Sequence, residues 1–146
     1  APNTIPWDTK ASGLYMICTL SKHEAEKQGY ADSLMLDHDG NVAEATGANI
    51  FFKDKNGEIH TPIPDSFLDG ITRRTVIEIA KSKNIKVHER KINPSELSNF
   101  VGCFLTGTAA EVTPVSCIAE NQFKVCETII HLNESYQALV RKKKAA

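Results

Sequence analysis

"SFLDGITRRTVIEIAKS", residues 66–82, decides the fold class, because it sets a helix among segments that otherwise read as strands. Ile71, Val76, Ile77, Ile79 and Ala80 form the apolar stripe of an amphipathic helix, with Arg73, Arg74, Glu78 and Lys81 assigned to its wet side. Asp69 and Gly70 stand just before it, where the first backbone N–H groups of a helix lack partners. A glycine at that place lets a ligand come close to those amides.

Working outward, "SLMLD" (33–37), "VAEAT" (42–46) and "NIFFKD" (49–54) read as short strands, and "KNGE" signals a hairpin into "IHTP". After the helix closes near Asn84, "IKVHERKI" (85–92) alternates as a half-buried strand does. "NPSEL" (93–97) is a helix start, with Asn93 as cap, Pro94 in the first turn and Glu96 placed for a capping box. "CFLTG" (103–107) and "VTPVSCI" (112–118) are further strands. Helices are expected over 12–28, where Leu14, Ile17, Cys18, Leu20 and Ala25 keep helical spacing before Gly29, and over 127–144. Residues 1–10 hold two prolines and read as an extended lead-in. Interleaved strands and helices give an α/β or α+β class.

The 146 residues suffice for one domain with a real core. A hydrophobic content of 41% with 24% charged residues is that of a soluble globular protein, and a net charge of −1 argues against a strong electrostatic case for nucleic acid or membrane as partner. The basic run at 141–144 reads as a solvated helix end. Cys18, Cys103, Cys117 and Cys126 show no metal-type spacing, so no metal is expected. Reduced thiols in a cytoplasmic protein are the favoured reading, and two disulfides in a secreted one the alternative. No run approaches membrane-spanning length, and nothing at the N-terminus reads as a signal peptide.

Four places could carry chemistry, and each has a plain structural reading beside it. The helix start at Gly70-Ile71-Thr72 is either an anion seat or a plain αL glycine with a capping hydroxyl. In "LTGTAAEVTP" (105–114), Thr108 and small residues expose backbone amides to a ligand, or Thr108 bonds its own turn. Glu44, in the apolar run "VAEATGAN", either faces solvent or is buried against a cation. Lys10 in "DTKASGLY" is either solvated or tuned to attack a carbonyl, with Tyr15 a helical turn further on.

Taken together, "APNTIP", the lysine and tyrosine of "K..G.Y", "GYADSLMLDHDGNVAEATGANIFF", "FLDGITR" and "FLTGTAAEVTPV" resemble the class IV pyridoxal-phosphate-dependent aminotransferases, the branched-chain amino acid aminotransferases above all. The blocks run in family order from residue 1 to about 117, and four of them at family-like spacing are far more specific than any one. The resemblance implies the large domain of the D-amino acid aminotransferase-like fold, a mixed sheet or pseudo-barrel flanked by helices, and pyridoxal 5′-phosphate as cofactor. It implies Lys10 as the lysine that holds the cofactor's aldehyde carbon and then moves the substrate's α-proton. Glu44 is implied to face the pyridine nitrogen, and Tyr15 the ring's phenolic oxygen. The amides of Ile71 and Thr72, with Thr108, are implied to seat the phosphate, and the amides of Ala109 and Ala110 the substrate carboxylate. Asn49 matches a family position near the cofactor, with no role assigned.

The implied reaction moves an amino group between a branched-chain L-amino acid and 2-oxoglutarate in a homodimer or higher homo-oligomer. Residues 1–11 match the interdomain segment and 12–146 the cofactor-binding domain, with the family's smaller N-terminal domain absent. Leu14 departs from the Asn that many relatives carry, which touches no catalytic position. D-amino acid aminotransferases and aminodeoxychorismate lyase share the lysine, the glutamate and the phosphate seat. A non-enzymatic α/β module, or an inactive isolated domain, is the reading from another class.

Overall fold

The computed structural model describes residues 5–141. A seven-stranded mixed sheet is built around the strand Asn49–Lys53 (β3), whose burial is nearly continuous. One edge of β3 takes Gly102–Gly107 (β6) along its whole length, from Asn49↔Thr106 to Lys53↔Gly102, and β6 in turn pairs Glu111–Pro114 (β7). The other edge is shared. Val42–Ala45 (β2) meets its start at Glu44↔Asn49, and Ile59–Thr61 (β4) meets its end at Phe52↔His60. Leu34–Leu36 (β1) flanks β2, and Val87–Glu89 (β5) runs parallel to β4.

The sheet therefore forks at β3, and the chain after β5 ties the tines together: Arg90 N–H donates to Thr61 O and Val42 N–H to Ile92 O. This closure gives the pseudo-barrel character that the resemblance implies. Alternation then sends successive β3 residues to different cores. Ile50 and Phe52 pack with Val42, Ile92, Leu97, Phe100 and Phe123 on one face. Phe51 stacks on Phe104 of β6, ring centroids 4.9 Å apart, beneath the helices Ile71–Ser82 (α2) and Glu127–Val140 (α3).

Several expectations change in detail. Within α2, Arg73 is 1% exposed and Ile71 is 76% exposed, the reverse of their assignment. The stripe geometry i, i+3, i+4, i+7 selects 73, 76, 77 and 80, so Arg73 occupies a core position in spite of its charge. Its guanidinium is bonded to Asp69 at 2.8 Å, Glu89 at 2.8 Å and Pro62 O at 2.9 Å. "NPSEL" forms a 3₁₀ turn over Pro94–Asn99 with the expected capping box. The strand expected over 85–92 is regular only in β5. "VTPVSCI" splits between β7 and a small hairpin, Cys117–Ile118 (β8) with Asn121–Gln122 (β9).

The lead-in turns at Trp7–Thr9, where Thr9 Oγ1 donates to Pro6 O, instead of running extended; its residues 1–4 lie outside the described part. The expected helix after it is Tyr15–Lys27 (α1), preceded by a 3₁₀ turn at Ser12–Leu14, and none of its residues is buried. α3 ends at Val140 and Arg141 pairs Glu111 at 2.9 Å, while 142–146 lie outside the described residues. All four cysteines are free, Cys103 buried and the others half-buried. Among the described residues no helix is long and apolar enough to cross a membrane.

Candidate active site

The face of the sheet that carries Phe51 and Phe104 changes character two residues along each strand. There Asn49 and Thr106 are partners, and Glu44 pairs Asn49 from the other side, so three polar side chains lie in one row across β2, β3 and β6. α2 covers the aromatic pair through Val76, Ile77 and Ala80, and its first turn begins where the polar row does. A cavity of about 450 Å³ opens at that junction. This is within the range of small-molecule sites, roughly 300–1,000 Å³.

Lys10, Tyr15, Glu44, Ile71, Thr72 and Thr108 all line this cavity, although they come from separate stretches of chain. Ala109 and Ala110 complete the β6–β7 turn beyond Thr108 and do not form its wall. Lys10 has φ +48°, a left-handed conformation that costs a non-glycine residue on the order of 1–2 kcal/mol. It sits at the corner where the lead-in turns toward α1.

Glu44 is half-buried, and desolvation pushes its carboxyl up to about 7. The donor it has is Asn49 Nδ2, at 3.3 Å. Asn49 is buried and also clasps the loop that enters α2: Nδ2 donates to Leu68 O at 2.8 Å and Oδ1 accepts from Gly70 N–H at 3.1 Å. Gly70 has no room for a side chain, since a Cβ there would collide with Asn49 Oδ1. No side chain caps α2, so the amides of Ile71 and Thr72 are unclaimed by a cap where these residues line the cavity, and the Thr72 hydroxyl pairs with Tyr136. Neither part of the plain reading holds: there is no capping hydroxyl among the described residues, and Gly70, at φ −61° and ψ 145°, is extended instead of αL.

Sequence reasoning missed Thr106. It is 1% exposed, lines the cavity, and its hydroxyl has no partner among the described residues. The signal was available, since Thr106 is two residues from the core Phe104 on a buried strand. An orphaned buried hydroxyl, a row of helix-start amides, an amine and a desolvated carboxylate fit an anionic aromatic aldehyde with a protonated ring nitrogen. Pyridoxal 5′-phosphate has that chemistry.

A second cluster lies at the far end of the sheet, where Glu58, His60 and His88 bring ligand-type atoms within 4.8 Å of one another. The two imidazoles stack at 4.7 Å and 15°, so their lone pairs run side by side instead of converging. Asp54 and Arg90 engage the two ring nitrogens of His60, and Glu58 engages Nε2 of His88. The cluster is a hydrogen-bonded clasp at β4 and β5.

The family described as amino-transferase class IV matches residues 3–118. A protein of Rickettsia bellii named "Probable branched-chain-amino-acid aminotransferase" is 41% identical over 148 residues, covering 97% of this chain and 50% of that protein. The branched-chain aminotransferase of the thermophilic archaeon Thermoproteus uzoniensis with norvaline superposes with a TM-score of 0.93 at 34% identity, over 99% of this chain and 49% of that one. The branched-chain amino acid aminotransferase of Thermobaculum terrenum in its PLP-form gives a TM-score of 0.90 at 34% identity, over 94% and 46%. The chain spans about half the length of the curated relatives it matches.

Proposed function

The chain belongs to the class IV aminotransferases, and from that membership we propose that it carries the cofactor-facing half of a branched-chain amino acid aminotransferase. The reaction is reversible transfer of the amino group between Leu, Ile or Val and 2-oxoglutarate, with pyridoxal 5′-phosphate, in a cytoplasmic homo-oligomer of the relatives' length. The observation that carries this reading is the convergence of Lys10, Tyr15, Glu44, the α2 start and Thr108 on one cavity. In it, residues 1–11 are the interdomain segment and 12–146 the cofactor-binding domain.

When bound, pyridoxal 5′-phosphate supplies an aldehyde for the amino group and an electron sink for the α-carbon. The chain's own residues hold, orient and move protons around it. Lys10 Nζ is the amine for the aldehyde and, once free, the base that carries the substrate's α-proton. Glu44 is the acidic partner of the ring nitrogen: its carboxylate gains a cationic N–H that offsets the desolvation now keeping it half-protonated near neutral pH. The Tyr15 hydroxyl bonds the ring's phenolic oxygen. The amides of Ile71 and Thr72, with the Thr108 hydroxyl, take the phosphate, and the macrodipole of α2 favours its charge. Ala109 and Ala110, at the turn outside the wall, offer their amides to the substrate's α-carboxylate.

Adding pyridoxal 5′-phosphate and recording a visible spectrum tests the reading. A new absorption band, bleached by borohydride and missing in Lys10→Ala, is expected. A band that survives in Lys10→Ala would remove the proposed nucleophile. Supplying Leu, D-Ala and aminodeoxychorismate to an enzyme of the relatives' length then separates the branched-chain assignment, which expects turnover of Leu, from its two sister activities.

A further inference from the structure

We infer that Asn49 is the positioning residue of this site, fixing the carboxylate of Glu44 relative to the first backbone amides of α2. The inference deepens the reading above and rests on it for the purpose of the site, though not for its geometry. A primary amide has two N–H donors and one carbonyl in a single plane. Asn49 spends one donor and the carbonyl on a two-point bond to the loop entering the helix, Leu68 O at 2.8 Å and Gly70 N–H at 3.1 Å. The remaining donor goes to Glu44 Oε2 at 3.3 Å. Flipping the amide would break all three bonds, so the plane is fixed by its partners.

β3 anchors this amide firmly: Asn49 is 5% exposed, paired with Glu44 on one side and Thr106 on the other. Gly70 supplies the matching concavity, because any side chain there would displace Asn49 Oδ1. The acid at one end of the cavity and the amide seat at the other are thus spaced by one side chain that itself needs no contact with a ligand. A carboxylate receives a donor from Asn49 only in this pose, so loss of the amide disfavours the charged form of Glu44.

The experiment uses the ligand-free chain and carbon-detected NMR of the Glu44 carboxyl, with the Gly70 amide resonance followed in the same titration. The other ionisable side chains lining the cavity are Lys10, Tyr15, Cys18, Asp37 and His38, so Glu44→Gln identifies which part of the Gly70 response belongs to Glu44. In the unsubstituted chain, Gly70 is expected to shift with the Glu44 midpoint. In Asn49→Ala the Glu44 midpoint is expected to rise by about one pH unit, and Gly70 to stop following it. Gly70→Ala, which pushes the amide off without changing it, is expected to raise the Glu44 midpoint likewise and to uncouple the backbone amide at position 70 from it, and replaces Asn49→Ala should that variant fail to fold. A Glu44 midpoint that stays put, or a Gly70 resonance that tracks it equally well without the amide, overturns the inference. No cofactor enters these readouts, so a negative result here leaves the transaminase reading standing, and a failed spectrum there leaves Asn49 its role.

Discussion

Two side chains of the polar row make opposite predictions for the ligand-free protein. Thr106 buries a hydroxyl without a partner, which costs roughly 1–3 kcal/mol by mutational experience. Thr106→Val keeps the shape and removes the penalty, so the urea midpoint of the ligand-free chain should rise by the equivalent of about 1 kcal/mol while affinity for pyridoxal 5′-phosphate falls. Glu44 acts through pH. Its folded-state value of about 7 lies above the 4.5 of an unperturbed glutamate, so the folded chain binds the proton more tightly. The resulting stability is complete below about pH 4.5 and is lost as the pH rises through 7, a decline of about 3 kcal/mol. Urea unfolding at about pH 5 and pH 8 should show that decline, and Glu44→Gln should flatten it. The two residues were unequally visible in the sequence. Glu44 stood out as a charge in an apolar run, whereas Thr106 hid in a strand because a threonine there is ordinary β chemistry.

Within α2, the decisive element, the error and the success have one origin. Residue identity placed Ile71 inside and Arg73 outside, but the helix turns about 100° per residue whatever it carries, and position 73 falls on the stripe. Burial of that guanidinium became tolerable because Asp69 precedes it by one turn and Glu89 arrives from β5, a contact no local pattern announces. Arg73→Ala should lower stability by about 3 kcal/mol, since it leaves a void and an unbonded Pro62 carbonyl. Arg73→Met should cost much less, because a similar volume refills the core and both acids, 34% and 45% exposed, return to water. Comparing the two in denaturant separates packing from pairing. The short elements were legible where they followed a turn signal or a cap, as at "KNGE" and "NPSEL". What could not be read was the fork at β3, because sharing one strand edge between two partners leaves no mark on the alternation of either.

At the scale of the whole molecule, support is uneven. β3, β6, α2 and α3 share one core, while α1 contributes no buried residue and exposes Met16 (69%), Ile17 (61%) and Leu20 (64%). Amide hydrogen exchange should therefore be fastest along α1 and slowest at β3 and β6, with protection in α1 nearer that of loops than that of α2. An α1 protected as well as α2 would contradict the packing described. Lys10 and Tyr15 ride on this lightly held arm, whereas the polar row and the helix start belong to the rigid body. On the proposed reading, capture and reaction have separate structural owners: the α2 start, held by the core, receives the anion, whereas the amine of Lys10 rides on the arm. On that reading a chain of this make-up should accept its guest more readily than it fastens it, and a surface laid over the bare methionine, isoleucine and leucine would change reactivity without touching a reacting atom.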